Sequence, residues 1–132
     1  MIVLDASAAV VLFLNHPPEV ATKLQQRIDQ PGESLHVPHL LDLEVAQVLR
    51  RSLFRGEIGA DRAAVVVRYL TELPATRYPH WLLLGRIWEL RANLTAYDAA
   101  YVALGEALGA NLLTCDRALA AAPGHRARVE VF

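Results

Sequence analysis

The opening run Ile2-Val3-Leu4 is apolar at every position and ends on an acid, Asp5. A strand with one wet face alternates apolar and polar residues, whereas an unbroken apolar run belongs to a strand covered on both faces, as in a parallel sheet. Parallel strands need crossover connections, usually helices, and the rest of the chain supplies them. Ala8 to Leu14 reads as a short buried helix, too short to span a bilayer. Pro17 and Pro18 open a helix to about Ile28, and Gln30-Pro31-Gly32-Glu33 forms a turn before a strand at Leu35 to Val37. Pro38 starts a helix with Leu41, Val45, Val48 and Leu49 on one face, ending before Gly56. Asp61 opens another helix through Leu73, Pro74 to Tyr78 reads as a strand, and Trp81 to Leu90 as helical. A last long helix runs from about Tyr97 to Leu108 and is closed by Gly109. Asn111 to Thr114 and Val129 to Val131 are the remaining strands.

This alternation predicts an α/β fold, a central mostly parallel β-sheet flanked by α-helices, in one domain spanning residues 1–132. With 132 residues, 54% of them hydrophobic, the chain can bury a core without disulfides or structural metals. Its single cysteine, Cys115, excludes an internal disulfide and a cysteine zinc cluster, and points to a reducing compartment. The N-terminus lacks the basic segment of a signal peptide, so a cytoplasmic protein with no membrane association is expected. A net charge of −1 is not the footprint of a protein held to nucleic acid by bulk charge. Lys23 is the only lysine among 13 basic residues, and the arginines can still form a local phosphate-facing surface. Arg50, Arg51, Arg86, Arg91 and Arg117 are phosphate-contact candidates only, and surface solubility is the better reading for most of them.

Ligands of open parallel sheets sit beyond the carboxyl ends of the strands, so the residues just after each strand decide the chemistry. Asp5 ends the first strand, and Asp116 lies two residues past the fourth. Asp98 stands at the start of the helix before that strand. Glu44 lies on the helix after the second strand, about 60° off the centre of its apolar stripe, so it borders the core. Each acid also has a structural role open to it. Thr95-Ala96-Tyr97-Asp98 fits a capping box, Asp5 and Asp116 fit N-caps, and Glu44 fits a solvated side chain. Together they imply more: two unit charges 4 Å apart repel by about 4 kcal/mol at an effective dielectric near 20. A cluster of this kind needs a cation or must take up protons. Oxygen ligands without cysteine or helically spaced histidines select Mg2+ or Mn2+ over zinc, and His36 and His39 straddle Pro38 without that spacing. A carboxylate-bound divalent cation suits phosphodiester hydrolysis.

Val3-Leu4-Asp5-Ala6-Ser7, Pro38…Glu44-Val45-Ala46, Tyr97 through Leu104, and Leu112-Leu113-Thr114-Cys115-Asp116 resemble, in order and spacing, the successive motifs of the PIN domain. The resemblance covers essentially the whole chain, and its most specific segment is Tyr97 to Asp116. Within that family the short length resembles VapC toxins of toxin–antitoxin pairs. The resemblance implies a PIN-like fold and a Mg2+- or Mn2+-dependent endoribonuclease that leaves a 5′-phosphate and a 3′-hydroxyl. On it, Asp5, Glu44, Asp98 and Asp116 correspond to the acidic metal-site residues, and Ser7 and Thr114 to hydroxyls that orient a carboxylate or a water. It also implies a VapB-type antitoxin whose C-terminal segment covers the site, and a homodimer. Trp81-Leu82-Leu83-Leu84 and Ile87-Trp88 fit a dimer seam or antitoxin groove, although Leu84, Ile87 and Trp88 read slightly better as core. Gln47 stands where the family often has asparagine, and Cys115 where a small or hydroxyl residue is common.

Other phosphate chemistries are disfavoured. An aspartyl-nucleophile phosphatase needs a second acid at the position of Ser7, and a phospho-receiver domain needs paired acids and a late lysine. No glycine-rich loop ends in Lys-Ser or Lys-Thr, so a P-loop is absent. A PIN nuclease of RNA maturation and a catalytically silent PIN-like binding module remain as alternatives. Retention of all four acids argues against the silent module.

Overall fold

The computed structural model describes residues 1–132. Strand β1 (Ile2–Leu4) lies at the centre of a five-stranded sheet and is wholly buried, as an unbroken apolar run requires. It pairs on one side with β2 (Leu35–Pro38) and on the other with β4 (Asn111–Thr114), so Val3 stands opposite both His36 and Leu112. Beyond them lie β3 (Ala75–Tyr78) and β5 (Arg128–Val131), giving the order β3-β2-β1-β4-β5. Every pairing is parallel, a stricter result than the mostly parallel sheet expected. The edge strands carry Arg77, Arg128 and Glu130 among their apolar residues, which discourages pairing with another chain.

Seven helices make the crossovers and flank the sheet: α1 (Ala6–Leu14), α2 (Pro18–Ile28), α3 (Leu40–Phe54), α4 (Ala60–Glu72), α5 (Leu84–Glu89), α6 (Ala96–Leu108) and α7 (Arg117–Ala121). Residues Ala99 through Gly105 of α6 are all buried, because this helix lies between the sheet and α5. Gly109 ends α6 in the left-handed conformation that a residue without Cβ adopts readily, and its N–H returns to the last turn. One contiguous core of 27 buried apolar residues joins sheet and helices. No helix is long and apolar enough to cross a membrane.

Three expectations change. Pro38 closes β2 instead of opening α3, because the ladder continues through the His39 N–H to Tyr78 O at 2.9 Å. The fourth helix begins at Ala60 behind Gly59, which puts Asp61 in the first turn, where its negative charge is favoured by the positive end of the helix dipole. Residues 81–90 do not form one helix: a 3₁₀ turn at His80–Leu82 precedes α5. The core claims Leu83, Ile87 and Leu90, spaced for one helical face, and the intervening residues are turned outward. Ile87 is therefore core as expected, but Leu84 (55% exposed) and Trp88 (68%) are not. With Trp81 and Leu82 they make an exposed apolar patch, where the Arg91 guanidinium covers the Trp88 ring at 4.8 Å.

Candidate active site

From β1 the chain moves outward to β2 and β3, then returns to the other side of β1 for β4 and β5. The order reverses between β1 and β4, and at such a point the crossovers diverge and leave a crevice at the carboxyl ends of the strands. Asp5 follows β1 and Asp116 follows β4, so both stand at this crevice. Glu44 reaches it from α3 and Asp98 from the first turn of α6. All four acids line one cavity of about 300 Å³, together with Ser7 and Tyr101. They come from four separate elements, yet no three of them converge closely enough to enclose a cation by themselves. A cavity of about 420 Å³ between α1, α2 and α4 is larger but has a single carboxylate, Asp29, on its wall. Size does not mark the chemistry here.

Asp5 is 5% exposed and held by three hydrogen bonds. Its Oδ1 accepts from the Ala8 N–H (2.9 Å) and the Ser7 hydroxyl (2.7 Å), and its Oδ2 from the Thr114 hydroxyl (2.5 Å). A carboxylate has about four acceptor positions, so one remains, on Oδ2. Ser7 Oγ in turn accepts from the Cys115 N–H (2.9 Å), and Thr114 Oγ1 from the Asp116 N–H (2.9 Å). Both hydroxyl protons are committed to Asp5, so the 3.2 Å approach of Ser7 to Thr114 is proximity without a hydrogen bond. The hydroxyls thus tie the ends of β1 and β4 together through one carboxylate.

The capping roles are real but partial. Asp5 caps α1, and Asp116 caps α7 through Oδ1, which accepts from the Ala118 and Leu119 N–H groups; its Oδ2 has no protein partner. At α6 the cap is Thr95, which accepts from the Asp98 N–H, and the Asp98 side chain does not return a bond to the Thr95 N–H. Asp98 is therefore the acid least explained by its helix. Burial raises the carboxyl pKa of Asp5, partly opposed by the Ala8 N–H and the two hydroxyls. Burial also raises those of Glu44 and Asp98; Tyr101 opposes the shift at Glu44, and repulsion from Asp116 adds to it at Asp98.

Tyr101 was not singled out by the sequence. Its hydroxyl donates to Glu44 Oε2 at 2.5 Å, and burial with the neighbouring acids pushes its pKa well above the usual phenol range. It is a neutral donor that fixes one oxygen of Glu44 and leaves the other for the cavity. The available signal was its position three residues after Asp98 on α6, which puts both on one helix face. His36 is a satisfied core histidine, with both ring nitrogens hydrogen-bonded, to Ser34 and to Tyr78.

The family model of the PIN domain matches residues 2–124 of this sequence. The chain belongs to the PIN domain family. VapC ribonuclease Mb0985 from Mycobacterium bovis is 48% identical to it over 116 residues, 88% of this chain and 86% of that protein. Ribonuclease VapC12 from Mycobacterium tuberculosis is 42% identical over 131 residues, 99% of this chain and 98% of that one. Among solved structures, PAE2754 from Pyrobaculum aerophilum is similar with a TM-score of 0.70 at 24% identity, covering 98% of this chain and 83% of that one. VapC20 from Mycobacterium tuberculosis, described as a sarcin-ricin loop cleaving toxin, gives a TM-score of 0.69 at 16% identity, covering 96% and 97%. At these identities the two structures establish the fold.

Two departures of this PIN domain from the common pattern can now be placed. Cys115 contributes through its backbone N–H, which any residue but proline supplies, and burial raises its thiol pKa. Gln47 is exposed on α3, one turn beyond Glu44. Of the candidate arginines, Arg86 is committed to Glu106, Glu89 and the Gly124 carbonyl, and Arg50 and Arg91 lie over Phe54 and Trp88. Arg51 and Arg117 are exposed and form no ion pair.

Proposed function

We propose that this PIN domain, residues 1–132 as one unit, is a VapC-type toxin: a cytoplasmic endoribonuclease that hydrolyses RNA phosphodiester bonds. In this reading Asp5, Glu44, Asp98 and Asp116 hold Mg2+ or Mn2+. The observation that carries it is the meeting of four carboxylates, from four elements, around one cavity at the point where strand order reverses. The kinship with VapC ribonucleases over most of the chain supports the same reading.

The donor set fits a hard divalent cation. All the donors are carboxylate oxygens, and three of the four are held above their ordinary protonation range by burial, a penalty that a cation removes. Magnesium keeps several waters and takes only one or two carboxylates plus substrate phosphates, which suits acids that line a cavity without closing on a point. When bound, the cation lowers the pKa of water and neutralises charge building on a phosphoryl oxygen. The protein's share of the work is positional. Ser7, Thr114 and the Ala8 N–H fix Asp5 on the cavity wall with one acceptor position to spare. Tyr101 fixes Glu44 in the same manner, and the α7 cap fixes Asp116 with Oδ2 free. Asp98 keeps the Thr95 side chain as its partner. Hydrolysis in this arrangement leaves a 5′-phosphate and a 3′-hydroxyl.

A cognate VapB-type antitoxin is the regulatory partner in this reading, and the exposed Trp81, Leu82, Leu84 and Trp88 offer a seam for a homodimer. The deciding experiment induces the wild type and Asp98→Asn in a bacterial host. The variant removes a charge that does not cap its helix. Growth arrest by the wild type alone, with RNA fragments bearing 5′-phosphates, is expected. Equal growth with both proteins soluble, and no cleavage of total RNA in vitro with Mg2+ or Mn2+, would refute the proposal.

A further inference from the structure

Next to the acid cavity lies a second one, of about 380 Å³, and the two share Ala6, Glu44 and Val48 as walls. The two cavities therefore adjoin, with Glu44 on the wall of both. Glu44, Gln47, Val48 and Arg51 are spaced i, i+3, i+4 and i+7 on α3, so they form one helix face along this pair of cavities. Arg51 therefore stands about 10 Å along the helix axis from Glu44. Across from it is Tyr97, 61% exposed, immediately before Asp98 in the first turn of α6. Leu40 and Leu43 give the compartment its apolar wall.

Most of the protein's well-placed arginines are spent on carboxylates. Arg27 binds Glu130 and Glu33, Arg77 binds Asp42, and Arg86 binds Glu106, each at 3.0 Å or less. Arg51, by contrast, is left without an ion pair beside an exposed aromatic ring and an apolar wall. A flat apolar slot with an aromatic face and a cation beyond it suits an unstacked base and its phosphate. An apolar segment of a partner protein fits less well, because covering the compartment would desolvate Arg51 without an opposing charge.

We propose that Arg51 and Tyr97 form the subsite for the single-stranded nucleotide next to the scissile phosphate, Tyr97 stacking on its base and Arg51 holding its phosphate. The subsite rests on the nuclease reading for its location and has its own readout. Direct binding is measured in the Asp98→Asn background, by fluorescence anisotropy of a labelled single-stranded RNA oligonucleotide with Mg2+ present. Tyr97→Ala weakens binding about tenfold or more, and Tyr97→Phe restores it, because stacking needs the ring and not the hydroxyl. Arg51→Ala also weakens binding and lowers the slope of log affinity against log salt by about 0.7. Both side chains are exposed, and thermal melts of each variant check the fold. Unchanged RNA affinity in both alanine variants overturns the subsite. So does unchanged RNA affinity with lost inhibition by the antitoxin, which would make the compartment a protein-docking surface. RNA binding that depends on Tyr97, with a wild type that cleaves no RNA, keeps the subsite and removes the nuclease reading.

Discussion

Thr114→Val is the substitution that most directly tests how the site is held. Thr114 is fully buried, and valine matches its shape while replacing the hydroxyl by a methyl. Two bonds disappear: the donation to Asp5 Oδ2 at 2.5 Å and the acceptance from the Asp116 N–H at 2.9 Å. A hydrogen bond to a charged group contributes about 1.5–3 kcal/mol, and a partly buried N–H left without a partner costs about 1 kcal/mol. The sum is about 3 kcal/mol. For a chain of 132 residues that lowers the melting temperature by roughly 10 °C. Asp5 is left with two anchors instead of three, and RNA cleavage falls by about 10- to 100-fold, the usual effect of removing an outer-shell partner. Thr114→Ser keeps the hydroxyl and loses one methyl, so it retains most of the activity and separates hydrogen bonding from packing. The assay pairs urea denaturation with cleavage of an RNA oligonucleotide. A Thr114→Val protein as stable and as active as the wild type would refute the claim that this hydroxyl fixes Asp5.

Two further outcomes are expected. Mg2+ or Mn2+ at about a hundred times its dissociation constant stabilises the folded chain by about 2.7 kcal/mol, read by differential scanning fluorimetry. Sodium chloride of equal ionic strength does not, Asp98→Asn blunts the effect, and no shift with either metal would count against the cation site. At the far end of α6, Arg86 and the Arg126 N–H hold Glu106 below the usual carboxylate range. Its contribution is therefore present above the unfolded carboxylate range and lost as pH falls through the lower folded value. Glu106→Gln should be about 1–2 kcal/mol less stable than wild type near pH 7, and the gap should shrink near pH 3. A gap independent of pH would show that the pair with Arg86 is not its source.

The parts of the fold legible in the sequence are those in which one physical demand acts alone. Ile2-Val3-Leu4 had to be a central strand because nothing polar interrupts it, and Gly109 had to end a helix because the apolar run stops there. The acids were legible by their place after strands and at helix starts. Residues 81–90 were not, because every third or fourth position is apolar on more than one face, and only the tertiary fit selects Leu83, Ile87 and Leu90. Tyr101 was hidden for the opposite reason. Around it α6 is buried on every side, so no polar stripe shows which way its hydroxyl points, and its partner lies 57 residues away on α3. The Asp5 anchors posed the same problem, since Thr114 meets it across 109 positions of sequence.

Asp5 and Asp116 each begin a helix as well as facing the cavity, and this double duty changes what the survival of an acid can reveal. A descendant of this chain that abandoned hydrolysis would still need a side-chain acceptor at both positions, and asparagine or serine can cap either helix, although at position 5 neither accepts from Ser7, Ala8 and Thr114 together. Drift at these two sites would pass through such residues and leave a sequence that still looks nearly armed. Asp98 has no such second employment, since Thr95 caps the helix without it, whereas Glu44 also accepts the hydroxyl of buried Tyr101. In any set of related chains, Asp98 is therefore the better register of whether the chemistry is still running.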